Sequence, residues 1–221
     1  MTINLRTVAA GLLAAAILTG AGAAEAALVT VTFSGTVTYS DDYTGEFGRV
    51  GGDGQVYNGM TATSVYVFDS ALGDRTTGPT YDVVSGGSLS GLSNPIISAT
   101  FSLNNVSQTV DPGRAGQARV NDNPGNLPPF GVLFLQQDSV FDIGGPLELF
   151  RSMTNQIILP TGGSTSLETS FSATTLAGFE GSSFGQFFDA AQMGGNVLRS
   201  TFIQYQVTGV TLEGVAQAPT G

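Results

Sequence analysis

The sequence predicts an all-β fold, a single antiparallel β-sandwich of the jelly-roll type, and three observations support this prediction. Short stretches alternate apolar and polar residues at period two. Gly, Asn, Asp and Pro separate these stretches at short intervals. Cysteine is absent from the 221 residues, so the fold must depend on apolar burial and sheet hydrogen bonds rather than on disulfides. A β domain of this size can bury its own core as one unit.

The N-terminal residues have the pattern of a secretory signal peptide. One arginine precedes an apolar run, Val8 to Leu18, and Ala24-Glu25-Ala26 then has the A-x-A form of a signal-peptidase site. We therefore predict a signal peptide over 1–26, with Ala26 and Ala27 at the cleavage site. The apolar run is too short to span a bilayer comfortably. The mature chain is expected to be exported, without a transmembrane anchor, to the periplasm, the cell surface or the medium.

The first predicted strand of the 27–215 domain is Leu28 to Tyr39. Its odd positions are apolar except Gly35, and its even positions from Thr30 onward are Thr or Ser. This alternation predicts that one face packs on a core and the other meets water. Further strands are predicted at Met60–Asp69, Tyr81–Val84, Ile96–Leu103, Val106–Val110, Val132–Gln136, Leu147–Met153, Ser166–Thr175 and Phe202–Leu212.

Four segments are predicted to depart from a plain strand. Asn104-Asn105 can adopt the positive φ angles of a tight hairpin turn. The phenylalanine spacing in 182–193 fits a short helix, and an aromatic-rich strand is the rival interpretation. The Pro- and Gly-rich segment Asp111–Gly131 is predicted to be a long loop, a candidate ligand loop that a short strand at Ala118–Val120 could divide. Residues 216–221 are predicted to be a flexible tail.

Composition excludes many functions. His, Lys, Cys and Trp are all absent, which removes the Ser-His-Asp triad, the Cys-His pair, Schiff-base lysines and the usual zinc and copper ligands. A formal net charge of −10 disfavours nucleic acid and anionic lipid as partners. Carboxylate-pair glycoside hydrolysis and oxygen-ligated calcium are compatible with the composition. No other cofactor is expected.

The densest carboxylate group is the candidate calcium site. Asp41, Asp42, Glu46 and Asp53 lie on a Gly-rich stretch that could supply oxygen ligands. The spacing fits no EF-hand, and Val56 stands where the calcium-binding nonapeptide requires Asp. We therefore favour a solvated loop, with calcium binding as the alternative.

The remaining side chains include candidates for catalysis and for stacking on a glycan. Glu148 and Glu168 lie in predicted strands and are the carboxylates to check for a facing pair, but an outward Glu on a sheet is ordinary, so no catalytic residue is assigned. Tyr43 and Tyr57 lie in loop-like stretches and could stack on a sugar ring. The 14 phenylalanines are predicted to lie mostly in the core.

Several short motifs resemble the exported domain of bacterial PEP-CTERM proteins. They are Phe33–Thr38 (FSGTVT), Gly45–Gly48 (GEFG), Val67–Asp69 with Gly73–Arg75, and Asn94–Ala99 (NPIISA). The resemblance implies export, passage through an exosortase-type sorting system, and association with extracellular polysaccharide or the cell envelope. The group's Pro-Glu-Pro tail would begin where this chain stops. We therefore expect either that the tail was lost, or that the protein is truncated or freely secreted.

These observations lead to one preferred function and two alternatives. The preferred function is that of a non-enzymatic secreted or cell-envelope protein, a structural or interaction module associated with extracellular matrix polysaccharide. The first alternative is a calcium-dependent glycan-binding module. The second is a carboxylate-based glycan hydrolase or lyase.

Overall fold

A computed structural model describes residues 28–123, 130–142, 147–160, 166–193 and 196–215. The predicted signal peptide with its cleavage site at Ala26 and Ala27, and the predicted tail 216–221, lie outside the described residues. No helix within the described ranges is long and apolar enough to cross a membrane.

The described residues form twelve β-strands and one short 3₁₀ turn at Glu180–Ser182, and every strand pairing is antiparallel. The all-β prediction is therefore confirmed. The strands are β1 (Leu28–Asp42), β2 (Thr61–Asp69), β3 (Asp74–Gly78), β4 (Tyr81–Gly86), β5 (Ile96–Leu103), β6 (Val106–Val110), β7 (Ala115–Asn123), β8 (Phe130–Asp142), β9 (Leu147–Pro160), β10 (Phe171–Thr174), β11 (Phe184–Met193) and β12 (Asn196–Val215).

The strands join in one continuous curled sheet that has the form of a half-barrel. The strand order is β3-β4-β7-β8-β9-β11-β12-β1-β2-β5-β6, and β10 pairs with the second half of β12. The long strands β1 and β12 are central and pair along nearly their whole length. The curl gives the sheet an inner face that encloses the core and an outer face that meets solvent.

Side chains of the two flanks meet across the inner face. Phe101 on β5 stacks on Phe187 of β11, with ring centroids 5.1 Å apart and planes 13° from parallel. The Tyr66 hydroxyl on β2 donates to Asn155 Oδ1 on β9 at 2.9 Å. Because these strands are distant in the sheet order, such contacts close the two flanks on one another. An offset aromatic pair stabilises a fold by about 0.5–1.5 kcal/mol in addition to the effect of burying the apolar surface of its rings.

A bulge in β1 reverses which side chains face inward. From Val29 to Val37 the odd positions are buried, as the alternation predicts. The register with β12 then shifts between Val37 and Tyr39, and Ser40 is buried instead. A bulge adds one residue, so every later side chain changes face. Tyr39 therefore lies on the outer face with 43% of its surface exposed, and its predicted place on the core face was wrong.

The short helix predicted within 182–193 was also wrong. Phe184–Met193 is strand β11, which pairs with β9 on one side and with β12 on the other. The spacing of three between Phe184 and Phe187 fits a helix, but Phe187 and Phe188 are neighbours that point to opposite faces of a strand. The rival interpretation, an aromatic-rich strand, is confirmed.

The other local predictions had mixed outcomes. The Asn104-Asn105 turn is confirmed, since the two residues have φ angles of 53° and 61°. The predicted loop Asp111–Gly131 contains a longer strand than expected, β7, which pairs with both β4 and β8. In Ser166–Thr175 only the last part, β10, is a strand.

Candidate functional site

Asp42 lies at the centre of a hydrogen-bond network. The residue is fully buried, and its Oδ1 accepts bonds from the Gly45 and Glu46 amides at 2.8 and 3.1 Å. Its Oδ2 accepts from the Phe47 amide at 3.0 Å. The hydroxyls of three further residues also donate to it, at 2.8 to 3.0 Å: Thr44, Tyr57 and Thr201.

These donors decide the charge of Asp42. Burial alone would raise the pKa of its carboxyl, but hydrogen bonds from the Phe47 amide and from the Thr201, Tyr57 and Thr44 hydroxyls outweigh that effect and hold the pKa below its usual value. Asp42 is therefore an ionised carboxylate whose lone pairs are already used by protein donors. It fixes the turn after β1.

The other three calcium candidates also have protein partners. Asp41 accepts bonds from the Tyr39 hydroxyl and the Gly54 amide, both at 2.8 Å. Asp53 accepts from the Gln55 amide at 3.0 Å, and Glu46 is ion-paired with Arg151 at 2.8 Å. Within the described ranges no three such side chains converge as a metal site. Calcium binding by these residues stays a prediction to which the geometry adds no support.

Glu148 and Glu168, the carboxylates considered for catalysis, lie at opposite ends of β12. Glu148 pairs with Gln192, which itself pairs with Val197 near the start of β12. Glu168 is ion-paired with Arg75, and its carbonyl group lies beside Gly214 near the end of β12. The structure therefore does not bring these two carboxylates together.

Of the two tyrosines predicted to be available for stacking, only one is exposed. Tyr43 has 54% of its surface exposed. Tyr57 is fully buried; its ring packs edge-on against Phe47 and its hydroxyl donates to Asp42. The prediction for Tyr57 was therefore wrong, because a local Gly-rich sequence does not reveal that the loop folds back over the end of the core.

The outer face carries an aromatic row that crosses four neighbouring strands. Phe150 on β9 lies 5.8 Å from Phe188 on β11, and Phe188 lies 6.4 Å from Phe202 on β12. Tyr39 on β1 completes the row, with its ring centroid 5.8 Å from that of Phe202. The phenylalanines are half-buried by their neighbours, whereas Tyr39 is exposed. We call these four residues the aromatic row.

Further along β1 and β12, the outer face carries two rows in cross-strand register in which five of the six residues have a hydroxyl side chain. We call them the hydroxyl rows. Each crosses six strands, β10-β12-β1-β2-β5-β6, and neither contains a charged residue. The first row is Ser172, Thr211, Thr32, Val65, Thr100 and Thr109, and the second is Thr174, Gly209, Ser34, Thr63, Ser102 and Ser107.

The aromatic row and the hydroxyl rows are joined along β1 and β12 into one surface, which we call the outer track. Between them the outer side chains are Thr36, Thr38, Gln204 and Gln206. Two grooves lie along the track. One, of about 160 Å³, includes Thr38 and Gln204; the other, of about 600 Å³, includes Thr32 and Ser172.

The outer track is nearly neutral in a chain of net charge −10. Its side chains are rings, amides and hydroxyls, and two carboxylates border it: Asp41 accepts a hydrogen bond from the Tyr39 hydroxyl, and Glu180 lines the smaller groove. Rings offer apolar faces for stacking, while amides and hydroxyls both donate and accept hydrogen bonds. The arrangement can therefore hold a long, uncharged ligand that has both apolar faces and hydroxyl groups.

Sequence reasoning missed most of this surface. The hydroxyl face of β1 is visible in its even positions, but the sequence predicts that the phenylalanines lie mostly in the core. The one signal for the aromatic row was the pair Phe187-Phe188, since adjacent residues of a strand cannot both face the core.

Comparison of the chain with known protein families, with curated proteins and with solved structures gave no match.

Proposed function

We propose that this protein is a non-enzymatic, exported interaction module that binds an extended, neutral polysaccharide along the outer track. The observation that carries the proposal is the aromatic row, in which four rings follow one another across the solvent face of a sheet. The predicted signal peptide supports export, and the resemblance to PEP-CTERM domains supports an extracellular polysaccharide as the partner. The two facing flanks of the sheet would correspond to the layers of the predicted jelly-roll sandwich.

The position of the aromatic row favours ligand binding over core packing. Its rings lie on the face opposite the core, where they gain only partial burial from each other. A contiguous apolar group on an otherwise polar surface commonly marks an interaction site. The ring centroids are 5.8 to 6.4 Å apart and the ring planes are tilted by 52° to 65° from one another, so the row would offer a series of ring edges and faces, rather than one flat platform, to an extended sugar chain.

The remainder of the outer track supports a neutral and extended ligand. From Phe202 to Thr211 the β12 strand advances nine positions, which is about 30 Å at the usual rise of a strand. Hydroxyls and amides along this distance can exchange hydrogen bonds with sugar hydroxyls. An anionic polysaccharide would be repelled by the acidic chain, and no lysine is present to attract it.

The alternative functions are less well supported by the geometry. A hydrolase or lyase needs two facing carboxylates, and the two that were considered, Glu148 and Glu168, do not converge. A calcium-dependent module needs free oxygen ligands, whereas the candidate acids accept hydrogen bonds from the protein. Both alternatives stay open to experiment, and the binding assay below includes their readouts.

The proposal is tested by sedimentation of the purified mature chain with insoluble neutral polysaccharides, and by affinity electrophoresis in soluble ones. The test variant is the double change Phe188→Ala and Phe202→Ala. Its matched control is Phe134→Ala, which removes a half-buried phenylalanine from the outer face of β8, outside the row. Each lost ring contact contributes roughly 1 kcal/mol, so we expect binding to weaken at least tenfold in the double variant and less than twofold in the control.

A second variant protects the test against loss of folding. Thr211→Glu adds bulk and charge to the outer track without removing any packed ring, and we expect it to weaken binding at least fivefold while the melting temperature changes little. All tubes are run with and without calcium, and reducing ends are measured. Failure of the wild-type chain to bind any neutral polysaccharide overturns the proposal. Release of reducing ends would establish an enzyme, and binding that requires calcium would establish the calcium-dependent alternative.

A further inference from the structure

The turn that follows β1 carries an acidic residue to a charged pair on strands β9 and β11. We call residues 42–47 the Asp42 turn, since three of its amides donate to the Asp42 carboxylate. From this turn Glu46 reaches Arg151 on β9, which pairs with Asp189 on the neighbouring strand β11. Three elements that are remote in sequence therefore meet at one group of charges.

Arg151 binds both carboxylates of this group. Its NH2 donates to Glu46 Oε1 at 2.8 Å and its Nε to Asp189 Oδ1 at 3.3 Å. Its NH1 donates to the Thr109 carbonyl oxygen at 3.1 Å and to Gln108 Oε1 at 3.4 Å, both on the edge strand β6. The side chains of Arg151, Glu46 and Asp189 are only 21%, 18% and 15% exposed.

One carboxylate oxygen in the group has no donor. Glu46 Oε2 is buried and accepts no hydrogen bond. The Asp189 carboxyl lies within hydrogen-bonding reach of Glu46, and Asp42 adds a third negative charge nearby. A single arginine cannot neutralise all three, and a buried acceptor without a donor is costly. A proton on Glu46 would turn this oxygen into a donor to the Asp189 carboxylate.

We propose that Glu46 holds a proton between itself and the Asp189 carboxylate, and that loss of this proton as the pH rises loosens the Asp42 turn, so Glu46 is a pH-sensitive latch between this turn and strands β9 and β11. With the proton, Glu46 donates to Asp189 while Arg151 bridges both. Without it, two carboxylates repel each other in a partly buried site. This inference does not depend on the proposed function.

The charge environment agrees with the geometry. Burial, the hydrogen bond and repulsion from Asp189, and the negative charge of Asp42 raise the pKa of Glu46 to about 7, while Arg151 opposes the shift. Arg49, which lies against the Tyr57 ring, is a further cation on the loop that follows the turn. Edge strand β6 contributes neutral groups, among them the Gln108 amide that donates to the Glu46 carbonyl oxygen at 3.3 Å. No histidine is present to titrate in this range.

The sign of the pH effect follows from the direction of the shift. The pKa of Glu46 is higher in the folded chain than in the unfolded chain, so between these two values the folded chain binds more protons. The protonated Glu46 therefore stabilises the folded chain fully below the pKa of the unfolded chain, near 4.5, and this stabilisation is lost as the pH rises to about 7. We expect the Asp42 turn to be tightest in mild acid.

Amide hydrogen exchange of the mature chain, corrected for intrinsic rates, tests the latch between pH 5 and pH 8.5. In wild type we expect protection of the Gly45, Glu46 and Phe47 amides to fall about tenfold across this range. Glu46→Gln should abolish the dependence, because its amide group donates to Asp189 at every pH. The matched control is Glu148→Gln, an exposed residue at the start of β9, which should keep the wild-type profile.

Asp189→Asn provides a second, independent variant. Its amide group can donate to Glu46 Oε2, so its exchange profile should also become flat. Protection that does not depend on pH in wild type overturns the latch. So does a Glu46→Gln or Asp189→Asn chain that folds and keeps the wild-type pH dependence.

Discussion

Replacing Asp42 by asparagine tests whether this carboxylate is a structural acceptor. The change preserves the shape of the side chain and replaces one oxygen by an NH₂ group. Six donors converge on the carboxylate, three of them backbone amides that cannot reverse their direction. Whichever way the asparagine turns, its NH₂ group faces at least one backbone N–H.

The best orientation indicates the size of the effect. If the amide oxygen takes the position of Oδ1, it keeps the Gly45 and Glu46 amides and two threonine hydroxyls, and the NH₂ group then faces the Phe47 amide. Stranding this buried donor costs about 1–3 kcal/mol. The retained bonds also weaken, because bonds to a charged acceptor are about twice as strong as neutral ones. We expect a total loss of about 4 kcal/mol in the free energy of unfolding.

Equilibrium unfolding in urea at pH 7, together with thermal melting, measures the loss. At about 2–4 °C for each kcal/mol in a domain of this size, the melting temperature should fall by roughly 10 °C. The control is Asp53→Asn, an exposed carboxylate that accepts only the Gln55 amide, and it should change stability by less than about 0.5 kcal/mol. If the free energy of unfolding of Asp42→Asn lies within about 1 kcal/mol of the wild-type value, the hydrogen bonds to Asp42 do not stabilise the fold as argued.

Two further predictions concern a glycine in the middle of β1 and the candidate calcium ligands. Gly35→Ala should destabilise the chain by about 3 kcal/mol or more, because the added Cβ would collide with the Gln206 carbonyl oxygen. The control is Gly113→Ala, whose Cβ would meet nothing within 4 Å and which should leave stability unchanged in the same urea assay. Adding millimolar calcium should leave the melting temperature unchanged to within about 1 °C, because Asp41, Asp42 and Asp53 already accept protein hydrogen bonds; a rise of several degrees would reinstate the calcium site.

Alternation in the sequence predicted strands well where only one face is buried. In β1 the Thr and Ser residues at even positions mark the solvent face as far as Val37, and the structure agrees. The alternation did not predict the bulge that follows. Tyr39 continues the series of odd positions with a large ring, and its face is decided by the register of β12, which no local pattern records. Bulges depend on the partner strand, so a single strand cannot reveal them.

The candidate site was predicted only in part for a related reason. Strand pairing brings together the members of the aromatic row, two of which, Tyr39 and Phe202, are more than 160 positions apart in the sequence. The acidic stretch was conspicuous in the sequence, but whether its carboxylates bind an ion or the protein depends on where donors lie. The key donors to Asp42 include Thr201, which only the β1–β12 pairing places beside it.

The contrast between Asp42 and Glu46 shows how donor supply divides two neighbouring carboxylates into different roles. Both lie in the same turn and both are largely buried. Asp42 accepts six hydrogen bonds, so its ionised form is favoured and its pKa is lowered. Glu46 shares one arginine with Asp189 and leaves an oxygen without a donor, so its protonated form is favoured and its pKa is raised. Since a chain without lysine and histidine has few cations to pair with its acids, backbone amides and hydroxyls must do so. Where these suffice, the acid stabilises the fold at neutral pH; where they do not, the same residue type makes stability fall as the pH rises.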